Sequence, residues 1–271
     1  MVSGARDEPT VQDVSDWWGT AVSRIEPDVI ELRGRPVQEL IGTTSFVGII
    51  WLMLRGSAPT PGQERLLEAA LVASVDHGPH APSIAIARMS ITCGIGLNNA
   101  MANGVNALGD VHGGAGEQCV EMLGDVILRA DGDAGLDQAA AAVVDEWRAA
   151  GRYLPGFGHR FHTTDPRRDP LLRLVRKAAG AGVVTGAYLR AAEAVERRLA
   201  LGRPRPVPIN VDGCTAVIFG ELGFEPPLAR GLFVLSRSVG ILAHAWEEAG
   251  QGRRNKGPMP PSILPTRLGT A

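Results

Sequence analysis

Six histidines stand in this chain, and only imidazole changes its protonation near neutrality without special tuning. Their distribution is uneven. His77 and His80 lie in Asp76-His77-Gly78-Pro79-His80, His112 in Asp110-Val111-His112-Gly113-Gly114-Ala115, and His159 and His162 in Gly156-Phe157-Gly158-His159-Arg160-Phe161-His162. These three stretches are glycine-flanked breaks between helical segments, where function tends to be mounted. Glycine beside histidine removes bulk and allows sharp turns, so a ligand can press against the main chain there. Taken singly, each is equally readable as a helix cap or turn histidine; three such stretches favour a common pocket.

One carboxylate and a few arginines complete the set. Asp212, in Pro208-Ile209-Asn210-Val211-Asp212-Gly213, is either an N-cap for the next segment or a base of tuned pKa. Arg160, Arg167 and Arg168 follow His159, and Arg237 interrupts the apolar run from Gly231 to Gly240. A buried arginine needs an anion, either an internal carboxylate or a ligand. Histidines, an aspartate and arginines together describe a site that binds a polycarboxylate and moves protons at carbon beside a carbonyl. Zinc is the competing idea, through the HxxH pairs 77/80 and 159/162, but neither pair sits on an evident helix and no HExxH or Cys/His cluster accompanies them. No metal is assigned.

The elements that must position these residues read mainly as helices. Met1 to Gln12 is polar, and the folded part begins at Trp17 and Trp18. Val29 to Leu32 followed by Arg33-Gly34-Arg35-Pro36 predicts a short hairpin with a glycine turn. From Ser45, Phe46, Ile49, Ile50 and Met53 fall on one helical face, ended by Gly56 and Pro59. Thr60, Pro61 and Gln63 form a capping box for a helix running to about Asp76. Ser83 is read as the cap of a helix from Ile84 to Leu97, apolar nearly all round and therefore buried on every side or set in a subunit seam. Further helices are expected over 118–129, 136–150, 170–179, 185–201 and 226–249, with no strand and helix alternation.

Composition closes off other classes. Lys+Arg of 27 against Asp+Glu of 29 leaves a formal charge of -2, without the basic footprint of a nucleic-acid binder. The nine-residue apolar run from Phe46 to Leu54 falls short of the ~20 residues that cross a bilayer. Met1 to Thr10 lacks the apolar core of a secretory signal. Cys93, Cys119 and Cys214 show no CxxC pairing and are read as reduced core thiols. A cytoplasmic location is the expectation.

Several of these motifs, in order, resemble the citrate synthase superfamily over almost the whole chain. His112-Gly113-Gly114-Ala115 is similar to that family's HGGA segment, Gly158-His159-Arg160 with Asp165-Pro166-Arg167 to its GHR and DPR segments, and Asn210-Val211-Asp212 to its NVD aspartate. Arg33-Gly34, Glu39-Leu40 and Ser236-Arg237 through Gly240 to Ala243-His244 match flanking positions. Asp76-His77-Gly78-Pro79, Asn210 to Gly213 and Gly231 to Gly240 resemble most closely the citryl-CoA lyase branch, which includes the lyase domain of ATP-citrate lyase. A glycine-rich ATP-binding region is lacking, so citryl-CoA is expected to be made by another enzyme.

The resemblance implies an all-α fold with a large helical domain from 1–112 and 215–271 and a smaller inserted helical domain, 113–214, closing over a cleft. It implies a citryl-CoA lyase, or a lyase for a close 3-hydroxy-3-carboxyacyl-CoA, giving acetyl-CoA and oxaloacetate. Two alternatives stand beside it: a compact citrate synthase-like enzyme condensing an acyl-CoA with a 2-oxo acid, and a non-catalytic acyl-CoA or citrate sensor. Carried over by residue, Asp212 is the acid/base at the acetyl methyl carbon and His159 handles the citryl hydroxyl. The enolate donor is His112 or His77. Arg160, Arg167 and Arg237 are the carboxylate-binding candidates, with Arg253 or Arg254 reaching a partner subunit's site. Gly156 and Gly158 are assigned to the coenzyme A side. No resident cofactor is implied, since the coenzyme A thioester is substrate, and a homodimer or higher homo-oligomer is implied.

Overall fold

The structure is a computed structural model that describes residues 10–159, 163–205 and 207–269. The chain divides into two compact units, residues 1–64 and 65–271. In the first unit, α1 (Val11–Trp17) precedes an antiparallel sheet ordered β1 (Ser23–Glu26), β2 (Val29–Leu32), β3 (Arg35–Pro36), followed by α2 (Val37–Leu40) and α3 (Phe46–Arg55). The expected hairpin is β2–β3, paired Leu32 to Arg35. Both turn residues, Arg33 and Gly34, have positive φ (50° and 75°), as a two-residue turn matching strand twist requires. The Arg33 guanidinium donates to Met53 O from two nitrogens, at 2.9 and 2.7 Å, and so satisfies a carbonyl near the end of α3. Strand β1 escapes a sequence reading because its only large apolar residue is Ile25.

Helix α4 (Pro61–Ser74) starts with the expected capping box, Thr60 N–H donating to Gln63 Oε1 at 2.9 Å and Gln63 N–H to Thr60 Oγ at 3.3 Å. The second unit continues with α5 (Pro82–Thr92), α6 (Leu97–Asn106), α7 (Ala115–Arg129), α8 (Leu136–Ala149), α9 (Arg168–Gly180), α10 (Ala187–Ala200), α11 (Val211–Glu221) and α12 (Pro226–Gln251). The expectation of a helix from Ile84 to Leu97 is corrected: α5 starts two residues earlier and ends at Thr92, and Gly94-Ile95-Gly96 turns the chain into α6. Ala81 rather than Ser83 is the cap residue of α5. The helix buried on every side is α11, where nine of eleven residues are buried; α7, α9, α10 and α12 surround it. Its burial on all faces removes the 3.6-residue periodicity by which a helix is recognised. Cys119 and Cys214 are buried, but Cys93 is exposed at the end of α5 and is no core thiol.

Helix α12 spans 26 residues and is apolar and long enough, by composition alone, to cross a membrane. It carries buried Arg237 and Glu248 and packs on α5, α6 and α7, as a core helix does. Glu248 has no side-chain exposure and receives Arg88 of α5 at 2.5 Å and Lys256 at 2.9 Å. Burial pushes its carboxyl up, and the Lys256 and Arg88 hydrogen bonds more than reverse this, leaving it below the ordinary range.

A buried ion pair broken on one side leaves an uncompensated charge. Because Lys256 still pairs with Glu248, the loss is partial, and Arg88→Ala should destabilise the protein by about 1–3 kcal/mol in a urea titration. Because the folded Glu248 pKa is depressed, its contribution is present above the unfolded carboxylate pKa and is lost as pH falls through the folded value. An unchanged midpoint in the variant would remove this pair from the core.

Candidate active site

Helix α11 begins at a polar cap that faces a backbone bridge. Asn210 is the N-cap: its side-chain oxygen accepts from Asp212 N–H at 2.9 Å and Gly213 N–H at 3.2 Å. The cap alternative for Asp212 is thereby withdrawn, since Asp212 sits in the first turn with its carboxylate free of that duty. The Asn210 amide nitrogen donates to Gly158 O at 2.7 Å. Asn210 N–H donates to Gly156 O at 2.9 Å and Gly158 N–H to Pro208 O at 2.8 Å. The segment ending in His159 is thus zipped to the segment that opens α11. Gly156, at φ 80°, permits this closeness, since a Cβ there would lie 2.7 Å from both Cys119 Sγ and Gly213 Cα.

His112 is fixed by α5. Ser83 N–H donates to His112 Nε2 at 3.1 Å, and Ser83 Oγ lies 3.0 Å from the same nitrogen. A ring nitrogen that accepts from an amide carries no proton, so the neutral ring holds its proton on Nδ1. The loop bearing His112 is tied down by Arg230 of α12, which pairs with Asp110 at 2.7 Å and also with Glu117. His77 follows Asp76, whose Oδ2 accepts from Gly78 N–H at 3.1 Å. The His77 ring meets that of His159 edge-on with centroids 5.8 Å apart.

Arg237 is 5% exposed. Its Nε donates to Ser74 O at 3.0 Å, and its guanidinium lies 4.8 Å from the Phe233 ring centre. Among the described residues no carboxylate lies within 4.0 Å of it, so the internal salt bridge entertained from the sequence is not found. Arg167, by contrast, is held by Asp165 through two bonds of 2.9 Å. Asp165, 2% exposed, also accepts from Val211 N–H at 3.2 Å, joining that arginine to the first residue of α11.

His77, His80, His112, His159, Asp212 and Arg237 line one cleft of about 530 Å³. Beside it, sharing Val111, Ala115 and Asn210, lies a cavity of about 780 Å³ lined by Arg152, Tyr153 and Gly156 among others. Gly158 lines neither cavity, and its role is backbone pairing. Arg254 is exposed beyond the end of α12 and does not reach the cleft of its own chain. Arg160, and with it His162, lies outside the described residues. Sequence reasoning passed over Ser83 as an anchor for His112, and gave no task to Asp165 or Asn210. Asn210 had a signal, since Asn just ahead of an apolar segment is a preferred N-cap residue.

The cleft's charges follow from burial. Burial raises the Asp212 carboxyl above its ordinary value, although Arg237 and Arg167 oppose the rise. His112 is lowered by burial and by Arg237, and His77 by burial and then by Arg167 and Arg237. Neutral imidazoles and a carboxyl with a reachable proton can together exchange protons with a carbon acid in a cation-bearing pocket.

A helical fold with acid/base and cationic groups on one cleft defines the class, and comparison with known proteins supplies the family. Residues 44–258 match the family model described as citrate synthase, C-terminal domain, and the chain belongs to the citrate synthase family. Citrate synthase of Acidithiobacillus ferridurans is 30% identical over 209 residues, 74% of this chain and 51% of that protein. The chain spans about half the length of the curated relatives it matches. Citryl-CoA lyase from Hydrogenobacter thermophilus superposes with a TM-score of 0.81 at 29% identity, over 94% of this chain and 95% of that one. Citrate synthase from Thermotoga maritima MSB8 gives 0.65 at 25% identity, over 84% and 60%. The all-α, citrate synthase-like fold expected from the sequence is borne out, and these likenesses point to an enzyme of the lyase or the citrate synthase type.

Asn210→Ala removes the cap of α11 together with the bond to Gly158 O. It should cost about 1–2 kcal/mol of stability in thermal or urea unfolding, and more than that in catalytic efficiency, because Asp212 and His159 lose their common tie. A variant with full activity would show that the cap does not position them.

Proposed function

We propose that this protein cleaves citryl-CoA, or a close 3-hydroxy-3-carboxyacyl-CoA, to acetyl-CoA and oxaloacetate. The observation that carries the reading is the gathering of His159, His112, Asp212 and Arg237 on one cleft. The likeness to a citryl-CoA lyase over nearly the full length of both chains supports the lyase over the synthase.

Arg237, with no carboxylate within 4.0 Å among the described residues, receives a substrate carboxylate. Arg167, pinned by Asp165, adds its positive field. His159 takes the hydroxyl proton as the bond between the carbinol carbon and the thioester-bearing methylene breaks. The electron pair passes to the thioester oxygen, where the His112 Nδ1–H donates a hydrogen bond to the enolate. A preorganised donor of this kind is worth roughly 3–4 kcal/mol. Asp212 then gives its proton to the methylene carbon, forming the acetyl methyl group, and oxaloacetate leaves as a ketone. His77, beside His159, serves the oxygen of the oxo-acid half. The neighbouring cavity with Arg152, Tyr153 and Gly156 takes the coenzyme A moiety. The molecule works as a homodimer, a state supported by the exposed stripe Leu235, Val239, Leu242 and Trp246 on α12.

Condensation of an acyl-CoA with oxaloacetate is the second reading, favoured by the citrate synthase relatives. Offered citryl-CoA, the protein should release acetyl-CoA and oxaloacetate; offered those two, it should release no free CoA at a comparable rate. Rapid CoA release in the second mixture overturns the lyase assignment. Asp212→Asn should abolish turnover and keep ligand binding, and an unchanged rate would exclude the stated mechanism.

The pH dependence follows from proton counting. Cleavage starts with Asp212 protonated and His159 neutral, whereas the reverse reaction starts with Asp212 ionised and His159 protonated. Both forms carry the same number of protons, so kcat/KM in the two directions should trace one bell-shaped profile. Bells that do not superimpose would contradict the two-group scheme.

A further inference from the structure

Helix α12 touches the cleft through more than Arg237. One turn further along, Gly240 faces the segment that carries His77: a Cβ on Gly240 would lie 2.3 Å from Val75 O and 3.1 Å from Asp76 Oδ1. Another turn on, His244 Nε2 lies 3.3 Å from Asp76 Oδ1. The other ring nitrogen, Nδ1, lies 3.1 Å from Arg88 Nη1. A guanidinium can only donate, so Nδ1 accepts and the neutral ring carries its proton on Nε2, the nitrogen beside Asp76. Arg88 is held in turn by Glu248 at 2.5 Å and Glu247 at 2.7 Å. Asp76 passes the grip on: its other oxygen accepts from Gly78 N–H at 3.1 Å. Burial pushes the Asp76 carboxyl up, and hydrogen bonds from Gly78 N–H, His244 and His77 N–H bring it below its ordinary value, so it is an ionised acceptor.

We infer that His244 is a positioning residue, a latch on α12 that holds the Asp76-His77-Gly78 turn and thereby aims the His77 ring into the cleft. The inference rests on the proposed reaction for its kinetic consequence and, for its geometry, on the 3.3 Å contact between His244 and Asp76 with the Arg88 and Gly78 hydrogen bonds on either side of it. His244 lies outside the set of residues lining the cleft and acts through Asp76. Without the latch the turn keeps, among the described residues of α12, the packing at Gly240, and an imidazole displaced by about 1 Å from a reacting atom costs on the order of a hundredfold in rate.

Two variants separate a latch from simple support. His244→Leu removes the donor, whereas His244→Gln supplies an N–H of similar reach. The leucine variant should lower kcat for citryl-CoA about 10- to 100-fold with coenzyme A affinity unchanged, and the glutamine variant should restore most of the loss. In a His77→Ala background, His244→Leu should cost nothing further, because both changes remove one function. An equal loss in both backgrounds overturns the latch. If wild-type protein leaves citryl-CoA intact, the reaction reading fails but the latch is still decided by ring nitrogen shifts in histidine-labelled protein at pH 8. The latch requires His244 protonated on Nε2 and bare on Nδ1, and His77 ring signals that move in the leucine but not the glutamine variant. A His244 proton on Nδ1, or His77 signals indifferent to both variants, refutes it.

Discussion

The site depends on one backbone join, the pairing of residues 156–158 with 208–210. Two main-chain hydrogen bonds and the Asn210 side chain make it, and the absence of side chains at Gly156 and Gly213 lets the strands come that close. His159 leaves one side of the join and Asp212 the other. Two groups remote in sequence therefore share a wall of the cleft. Asp165 reinforces the same point from behind, bonding both Arg167 and the amide of Val211.

The opposite wall is organised by α12. Along its length it holds the His112 loop through Arg230 and Asp110, presents Arg237 to the cleft, seats the His77 turn at Gly240, and anchors α5 through Glu248 and Arg88. Helix α5 in turn supplies the Ser83 amide that sets the His112 tautomer. Burial then does the electrostatic work: it lifts the Asp212 carboxyl and keeps the His77 and His112 rings neutral. Such a site is costly to keep folded in exchange for proton transfer, since a half-buried carboxylate and a buried arginine that meets no carboxylate among the described residues both resist desolvation.

Much of this was legible from residue types. The capping box at Thr60 and Gln63 and the Arg33-Gly34 turn follow from local chemistry, and the structure has both. The histidine stretches were visible because glycine next to histidine is unusual inside a helix. Illegible were the elements without periodicity. Helix α11 is apolar on all faces, and α6 opens with Leu97-Asn98-Asn99 after a glycine break. Long-range ties were equally hidden: nothing in Ser83 announces a bond to His112, and nothing in His244 announces Asp76, because each is made across the chain by packing. The reading of Asp212 as cap or base was divided by the structure alone, which gives the cap to Asn210.

A crystal structure with coenzyme A and citrate bound addresses the central claim most directly. The account predicts a citrate carboxylate on Arg237, its hydroxyl within hydrogen-bond reach of His159, and the Asp212 carboxyl facing the gap between citrate and the coenzyme A sulfur. Citrate and coenzyme A in separate places, or an Asp212 side chain turned away from both, would contradict it.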